Sequence, residues 1–289
     1  MRGLAPRFDS LKRWPRLRFF ISGVILISLL GCLDSHAWVQ QQPTPQIAVK
    51  SKGLFVNKAS SLKSGPPYRA LSKVLTKPSC KGEDCPSITF NTLDFETYPR
   101  FTDFLVRTQL EIALMDTRHG KTFNTLGDLA KAFWKTAESR YELVLDAKIK
   151  RDTSSIVVAE LRSYVYMGGA HGMSTSMYLN WSPLLDQIFT LNDFILPGRM
   201  KAFEEALKKK HAQWLRENAF AQADPDAYLE TWPFEFSDNA ALMQDGIAVT
   251  FGHYVLGPYA LGMPTIVVPF SELKGIVNMG LLKRIYAQG

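Results

Sequence analysis

The fold is decided by residues 141–181, which read YELVLDAKIKRDTSSIVVAELRSYVYMGGAHGMSTSMYLNW. Apolar side chains occupy every second position in most of this stretch, which is the period of a half-buried β-strand. A polar turn at 151–155 and a glycine-rich loop at 167–172 interrupt the alternation. Because glycine adopts backbone angles that other residues avoid, the loop allows a tight reversal. The pattern predicts three consecutive antiparallel strands, at 141–150, 156–166 and 173–181.

Helices and further strands are predicted on both sides of this stretch. Upstream, the sequence predicts a strand at 87–95, a helix that begins at Pro99, and a helix over 125–139, where apolar residues recur at helical spacing. Downstream, it predicts a helix at 199–219, strands near 232–236, 247–255 and 264–270, and a short helix from Ser271. Helices segregated from antiparallel strands define the fold class α+β, with antiparallel sheets packed with a few helices. We expect two small subdomains, at 79–165 and 166–280.

The first 31 residues have the composition of a bacterial secretory signal. A basic stretch ends at Arg18, and an apolar run of 13 residues follows at 19–31, which is too short to span a bilayer that needs about 20 residues. This segment carries a net charge of +5, and the remainder of the chain carries +2. The total of +7 therefore belongs mainly to targeting, which argues against a nucleic-acid partner. We expect residues 1–31, or alternatively 1–37, to be a signal peptide.

Cys32 directly follows the apolar run and leaves two alternatives open. Leu29-Leu30-Gly31-Cys32 resembles the lipobox of bacterial lipoproteins, which implies that Cys32 carries fatty acids and anchors the protein in a membrane. Cleavage after Ala37 would instead release a soluble periplasmic protein. Leu33 after the cysteine favours the outer membrane over the inner one. Residues 32–78 are predicted to be a flexible tether, because they are rich in Gln, Pro, Lys, Ser and Gly and show no sustained period.

Cys80 and Cys85 are the remaining cysteines, five positions apart. In an oxidising compartment an even pair at this spacing predicts a disulfide that closes a small loop. A metal site is the alternative, but two thiols without a nearby second pair make a weak ligand set. We therefore expect the disulfide, and no metal site and no cofactor.

No catalytic signature is present in the sequence, so an enzyme is disfavoured and no catalytic residue is assigned. His171 lies between glycines in the loop and could bind a ligand or cap the turn. His253 shares the parity of Val249 and Phe251, and on that ground it is expected to be a hydrogen-bonded core residue of the strand. His119, before a glycine, is expected near a helix end, where its charge would favour the dipole.

Two stretches together resemble the RsiV-like extracytoplasmic domain family. They are Tyr166-Met167-Gly168-Gly169-Ala170-His171-Gly172, and Phe251-x-x-Tyr254-x-x-x-Pro258-Tyr259-Ala260-x-Gly262 followed by Val268-Pro269-Phe270-Ser271. The family includes the outer domain of a lysozyme-sensing anti-sigma factor and a domain beside a peptidoglycan deacetylase. The resemblance covers about 85–278 and assigns 166–280 to an RsiV-like domain. A cytosolic sigma-binding domain of useful size is not expected here.

The resemblance implies a binding domain whose partner is a lysozyme-like muramidase or another wall-degrading enzyme. The implied contact positions are His171, Gly172, Ser174, Pro258 and Tyr259. Tyr254 is instead expected to be a core aromatic residue. The sequence thus predicts an envelope protein that recognises and inhibits a peptidoglycan-degrading enzyme, as a lysozyme inhibitor or an immunity protein. The alternative is a peptidoglycan-binding or peptidoglycan-modifying envelope enzyme that uses His171.

Overall fold

A six-stranded sheet is the centre of the structure, a computed structural model that describes residues 64–113 and 123–286. Its strands lie in sequence order, and all neighbouring pairs are antiparallel except β2 and β3. The parallel pair follows from the two helices that connect these strands, because a crossover returns the chain in the same direction. The strands are β1 Arg69–Thr76, β2 Ser87–Asp94, β3 Glu142–Asp152, β4 Val157–Tyr166, β5 Met173–Ser182 and β6 Gln187–Phe189.

Two helices cover one face of this sheet, α1 Pro99–Ile112 and α2 Leu126–Thr136. The Thr125 side chain accepts a hydrogen bond from the Asp128 backbone and caps α2. Apolar side chains of both helices pack against β2 and β3 in a shared core. At the other end of α1, the Phe101 ring stacks on Trp181 of β5 with centroids 4.0 Å apart. The α1–α2 layer thus reaches from β2 to β5.

A second layer packs against β4 to β6 and contains a three-stranded antiparallel sheet with the remaining helices. Asn180 of β5 joins the two sheets, because its fully buried amide donates to the Ala240 carbonyl (2.8 Å) and accepts from the Leu242 backbone N–H (2.7 Å). The elements are α3 Leu191–Phe194, α4 Met200–Glu217, α5 Pro225–Thr231, β7 Ala240–Leu242, β8 Gly246–Thr250, β9 Thr265–Pro269 and α6 Met279–Tyr286. The predicted α+β class is confirmed. The six-stranded sheet takes strands from both sides of residue 165, the predicted subdomain boundary.

The tether prediction is wrong for residues 69–76, which form the edge strand β1. Seven of its eight residues are exposed, so the strand owes its order to backbone pairing with β2 rather than to burial. The hydropathy pattern of the sequence therefore does not predict such a strand. The predicted disulfide between Cys80 and Cys85 is present and closes the loop between β1 and β2.

Two further predictions downstream of α4 are wrong. The strand near 232–236 is absent, and the chain there follows α5, whose start at Asp224 is capped by the Asp224 side chain accepting from the Ala227 N–H. Strand β8 ends at Thr250 rather than at 255, since the chain turns directly after Phe251.

Several predictions lie outside the described residues: the signal peptide, Cys32, the tether up to residue 63, and His119. Within 64–113 and 123–286, no helix combines the length and the hydropathy that a membrane crossing requires.

Candidate functional site

The glycine-rich loop between β4 and β5 meets the turn that follows β8. The Tyr259 hydroxyl donates a hydrogen bond of 2.8 Å to the Gly172 carbonyl, 87 residues away in sequence. The His171 imidazole stacks on the Tyr259 ring with centroids 3.6 Å apart and planes 14° from parallel. Three of the five predicted contact positions therefore touch one another.

Two more rings complete this site, which we call the ring cluster: His171, His253, Tyr254 and Tyr259. His253 also stacks on Tyr259, at 4.5 Å between centroids and 15° between planes. Tyr254 lies at 5.9 Å from Tyr259, and its hydroxyl is 3.2 Å from Nε2 of His171. Tyr259 is therefore the central ring, in contact with the other three.

The hydrogen bonds of His171 define its tautomer. Nδ1 lies 3.0 Å from the Gly172 carbonyl oxygen, which only accepts, so Nδ1 carries the proton. Nε2 is then free to accept the Tyr254 hydroxyl. The Gly172 carbonyl consequently receives two hydrogen bonds, one from His171 and one from Tyr259, and holds both rings in place.

Gly172 has no room for a side chain. A Cβ there would lie 2.5 Å from two atoms of the Tyr164 ring and 2.6 Å from the Val165 carbonyl oxygen. Real Cβ contacts essentially never fall below 3.0 Å. Glycine at this position thus lets the loop lie directly on β4, which brings the Gly172 carbonyl within reach of Tyr259.

Pro258 and Ser174 have less direct places in the site. Pro258 immediately precedes the short 3₁₀ turn of residues 259–261, and its carbonyl accepts from the Leu261 N–H at 2.9 Å, so it positions Tyr259. Ser174 lies opposite Tyr164 in the β4–β5 register and is half-buried. Within the described part of the chain, no hydrogen bond links Ser174 to the ring cluster. Contact of either residue with a partner stays a prediction.

Sequence reasoning missed His253 and Tyr254. His253 lies beyond β8 in a turn, so its parity with Val249 has no meaning, and it is a member of the ring cluster instead of a strand core residue. Tyr254 was expected in the core but is 46% exposed, with a backbone φ of 62°. Few non-glycine residues adopt this left-handed conformation, and it is enriched at functional sites. Gly252 and Gly257 on either side were the available signal of a turn.

Burial shifts the pKa values of His253 and Tyr259. It lowers the pKa of His253, and the nearby His171 lowers it further, against a hydrogen bond with the Tyr259 backbone that raises it. Nδ1 of His253 is buried and has no hydrogen-bond partner among the described residues. Burial, with the neighbouring Tyr164 and Tyr254, raises the pKa of the Tyr259 phenol. The Tyr259 hydroxyl therefore keeps its proton and remains a donor to Gly172.

The ring cluster consists of two imidazole rings and two phenol rings. No carboxylate is hydrogen-bonded to either histidine in the part of the chain that the structure describes. In the same residues, no group of three or more His, Cys, Asp or Glu side chains is placed to hold a metal ion. The cluster is a stack of aromatic rings in which His171 and Tyr254 are exposed to solvent.

The fold and the site define an α+β domain that carries a cluster of aromatic rings at the meeting point of two loops. Residues 192–271 match the model of a family described as "Protein of unknown function (DUF3298)", so the chain contains a DUF3298 family domain. The match includes His253, Tyr254 and Tyr259 and begins after the β4–β5 loop, so His171 and Gly172 lie outside it.

Two solved structures of the same family have this fold. A DUF3298 family protein from Pseudomonas aeruginosa PAO1 is 27% identical, with 75% of this chain and 96% of that chain covered and a TM-score of 0.68. A family member from Bacteroides fragilis NCTC 9343 is 16% identical, with 78% and 99% covered and a TM-score of 0.58, which shows the fold alone. No curated protein is significantly similar to the chain.

Proposed function

We propose that this protein is a bacterial envelope protein that binds and inhibits a lysozyme-like, peptidoglycan-degrading enzyme, held at a membrane through acylated Cys32. The observation that carries the proposal is the ring cluster. Positions assigned as contacts by the RsiV-like resemblance, at 171–172 and 259, are brought together from loops 87 residues apart. Export of the chain rests on the signal sequence and places such a partner within reach.

The ring cluster is pre-organised, which favours binding. Tyr259 is held by the Gly172 carbonyl and by stacking on both histidines. Rigid aromatic side chains lose little conformational entropy on association, so more of the contact energy remains as affinity. A rigid turn of this kind inhibits a muramidase by occupying its substrate cleft.

Tyr254 is the ring we expect to enter the partner. It is 46% exposed, and the hydrogen bond to His171 fixes the direction of its hydroxyl. Tyrosine is enriched among the interface residues that dominate binding free energy, because it combines a large apolar area with a polar end. Its left-handed backbone is compatible with a conformation maintained for contact rather than for packing.

Binding and inhibition assays with purified protein test the proposal. We expect one or more lysozyme-type enzymes to be bound and slowed, and Tyr254→Ala to weaken the complex by roughly tenfold or more. Tyr68→Ala is the matched control, because Tyr68 is a similarly exposed tyrosine (40%) outside the site. The proposal fails if no lysozyme-type enzyme is bound or slowed and if deletion leaves cells equally sensitive to wall-degrading toxins.

A second candidate is a peptidoglycan-binding or peptidoglycan-modifying enzyme that uses His171. The orientation of His171 supports it, since the hydrogen bond from Nδ1 to the Gly172 carbonyl leaves Nε2 as an acceptor. Nε2 then acts as a general base when a substrate replaces the Tyr254 hydroxyl that it accepts here. Sedimentation with purified cell wall, combined with turnover assays of the wild type and His171→Gln, separates the two candidates. Wall binding with His171-dependent turnover would replace the first proposal by the second.

A further inference from the structure

The segment around the ring cluster has an unusual charge. Residues 217–273 contain eight acidic residues and no lysine or arginine, although the chain as a whole has a net charge of +7. The acidic residues are Glu217, Asp224, Asp226, Glu230, Glu235, Asp238, Asp245 and Glu272. The turn that carries His253, Tyr254 and Tyr259 lies within this segment.

These carboxylates face solvent and are largely unneutralised. All eight residues are exposed. In the described part of the chain, the ion pair between Glu272 and Lys210 is the one that involves any of them. Asp224 additionally caps α5. Seven of the eight carboxylates thus form no ion pair with the described lysines and arginines, and their negative charge is available to a partner.

The central part of the segment is attached to the turn of the ring cluster at one end and to β5 at the other. Tyr228 of α5 donates a hydrogen bond of 2.7 Å to the Leu256 carbonyl, in the turn of the ring cluster. A side chain on Gly257 would collide with the Tyr228 hydroxyl at 2.2 Å, so α5 lies directly against this turn. Eleven residues later, the Asn239 side chain donates to the Ser176 carbonyl and accepts from the Tyr178 N–H of β5, each at 2.9 Å.

Exposed aromatic rings accompany the charges. Phe236 is 40% exposed and lies between Glu235 and Asp238, and Tyr254 is 46% exposed in the adjoining turn. Protein interfaces commonly combine a few aromatic anchors with a polar or charged rim. An exposed phenylalanine among unpaired carboxylates is poorly suited to an anionic polymer or an acidic membrane surface, because the charges repel both.

We propose that the acidic surface, defined as Asp226, Glu230, Glu235 and Asp238, docks a cationic protein together with the ring cluster. This inference rests on the proposed function and specifies its partner: the wall-degrading enzyme presents a basic face around its cleft. The carboxylates act at long range and accelerate encounter, whereas Tyr254 and Phe236 act in contact and slow dissociation. Charge and rings thus contribute to different rate constants.

Binding kinetics of the full chain, purified in non-ionic detergent, test this division. The probes are hen egg-white lysozyme as a basic muramidase, the same enzyme with acetylated lysines, and cytochrome c as a basic protein that is not a muramidase. The test variant combines Asp226→Asn, Glu230→Gln, Glu235→Gln and Asp238→Asn. The matched control neutralises four exposed carboxylates elsewhere, at Glu83, Glu96, Asp103 and Glu138.

At low ionic strength we expect the test variant to bind lysozyme with an association rate roughly tenfold lower, and to lose most of the salt dependence. The control variant should keep the wild-type association rate within about twofold. Tyr254→Ala should change mainly the dissociation rate. Acetylation of lysozyme should reproduce the effect of the test variant on wild-type protein.

The outcomes separate this inference from the proposed function. If lysozyme binds and the test variant or acetylation changes nothing, the acidic surface is not a docking surface, and the proposed function stands. If cytochrome c binds through the four carboxylates and lysozyme does not, the surface does not select a muramidase and the inference is overturned. If neither basic protein binds, the inference is likewise overturned, while the proposed function is decided by the wider inhibition and deletion assays.

Discussion

Gly172→Ala is the substitution that tests most directly how the site is held together. The added Cβ would meet the Tyr164 ring at 2.5 Å and the Val165 carbonyl oxygen at 2.6 Å, whereas ordinary contacts lie at 3.4–4 Å. The ring can rotate, but the carbonyl belongs to the backbone of β4. Relief therefore requires the loop and the strand to separate by about 1 Å, which also lengthens the hydrogen bonds from His171 and Tyr259 to the Gly172 carbonyl.

The free-energy cost has two parts. Overpacking of a tight site costs about 1–3 kcal/mol. The weakened hydrogen bonds to the Gly172 carbonyl add about 1 kcal/mol. We therefore expect the free energy of unfolding to fall by about 3 kcal/mol, which for a domain of this size lowers the melting temperature by about 6–12 °C.

Urea unfolding followed by tryptophan fluorescence measures this change. Gly127→Ala is the matched control, because Gly127 is exposed near the start of α2 and its Cβ would meet nothing closer than 3.6 Å. Alanine there should leave stability unchanged or raise it by up to about 1 kcal/mol. In a double-mutant cycle, Tyr164→Ala should recover about 1 kcal/mol of the Gly172→Ala loss, since it removes the ring but not the Val165 carbonyl. A Gly172→Ala protein within about 0.5 kcal/mol of the wild type would refute the packing argument.

Three further variants test the core and the site. Tyr259→Phe should lower the free energy of unfolding by about 1 kcal/mol, measured by urea titration, because the Gly172 carbonyl loses a donor while the ring stack remains. Asn180→Ala should cost about 2–4 kcal/mol by the same assay, because it leaves buried backbone groups of β7 unpaired, whereas the exposed Asn192→Ala should be neutral. Burial lowers the pKa of His211 below its usual 6.5, so the fold favours the neutral ring and stability should fall as pH drops from 6.5 through the lowered value. His211→Leu should show a smaller fall between pH 6.5 and 5 in melting curves, with the remainder due to His253, whose pKa is also lowered; an unchanged pH profile would contradict this assignment.

The central strands were predictable from their apolar content and the turns between them, and β3, β4 and β5 lie within two residues of their predicted bounds. Strand β3 alternates in burial, whereas the first five residues of β4 are all buried because both faces of the sheet are covered there. Strand β1 was not predicted, because nearly all of its residues are exposed on both faces and the strand has no buried apolar side. A strand that is held by backbone pairing alone shows no periodicity in its side chains.

The site was predictable in part. The resemblance pointed to His171, Gly172 and Tyr259, and the structure brings these three into contact, although their role toward a partner stays a proposal. Spacing alone could not pair residues 87 positions apart. His253 was misplaced because the period-2 argument was carried past Thr250, where β8 ends and Gly252 begins a turn. Period-2 alternation predicts the direction of a side chain only within the strand itself.

The architecture separates the two tasks of recognition that we propose. The ring cluster is fixed by contacts between loops that belong to different sheets, so its geometry depends on the fold and changes only with it. The acidic surface lies on α5 and the segment after it, which contacts the turn of the ring cluster through Tyr228 and strand β5 through Asn239. Its exposed carboxylates can be exchanged without disturbing the core. Selection for a new basic partner can therefore act on the 226–238 segment, and change the association rate, while the ring cluster and its anchoring Tyr254 stay in place.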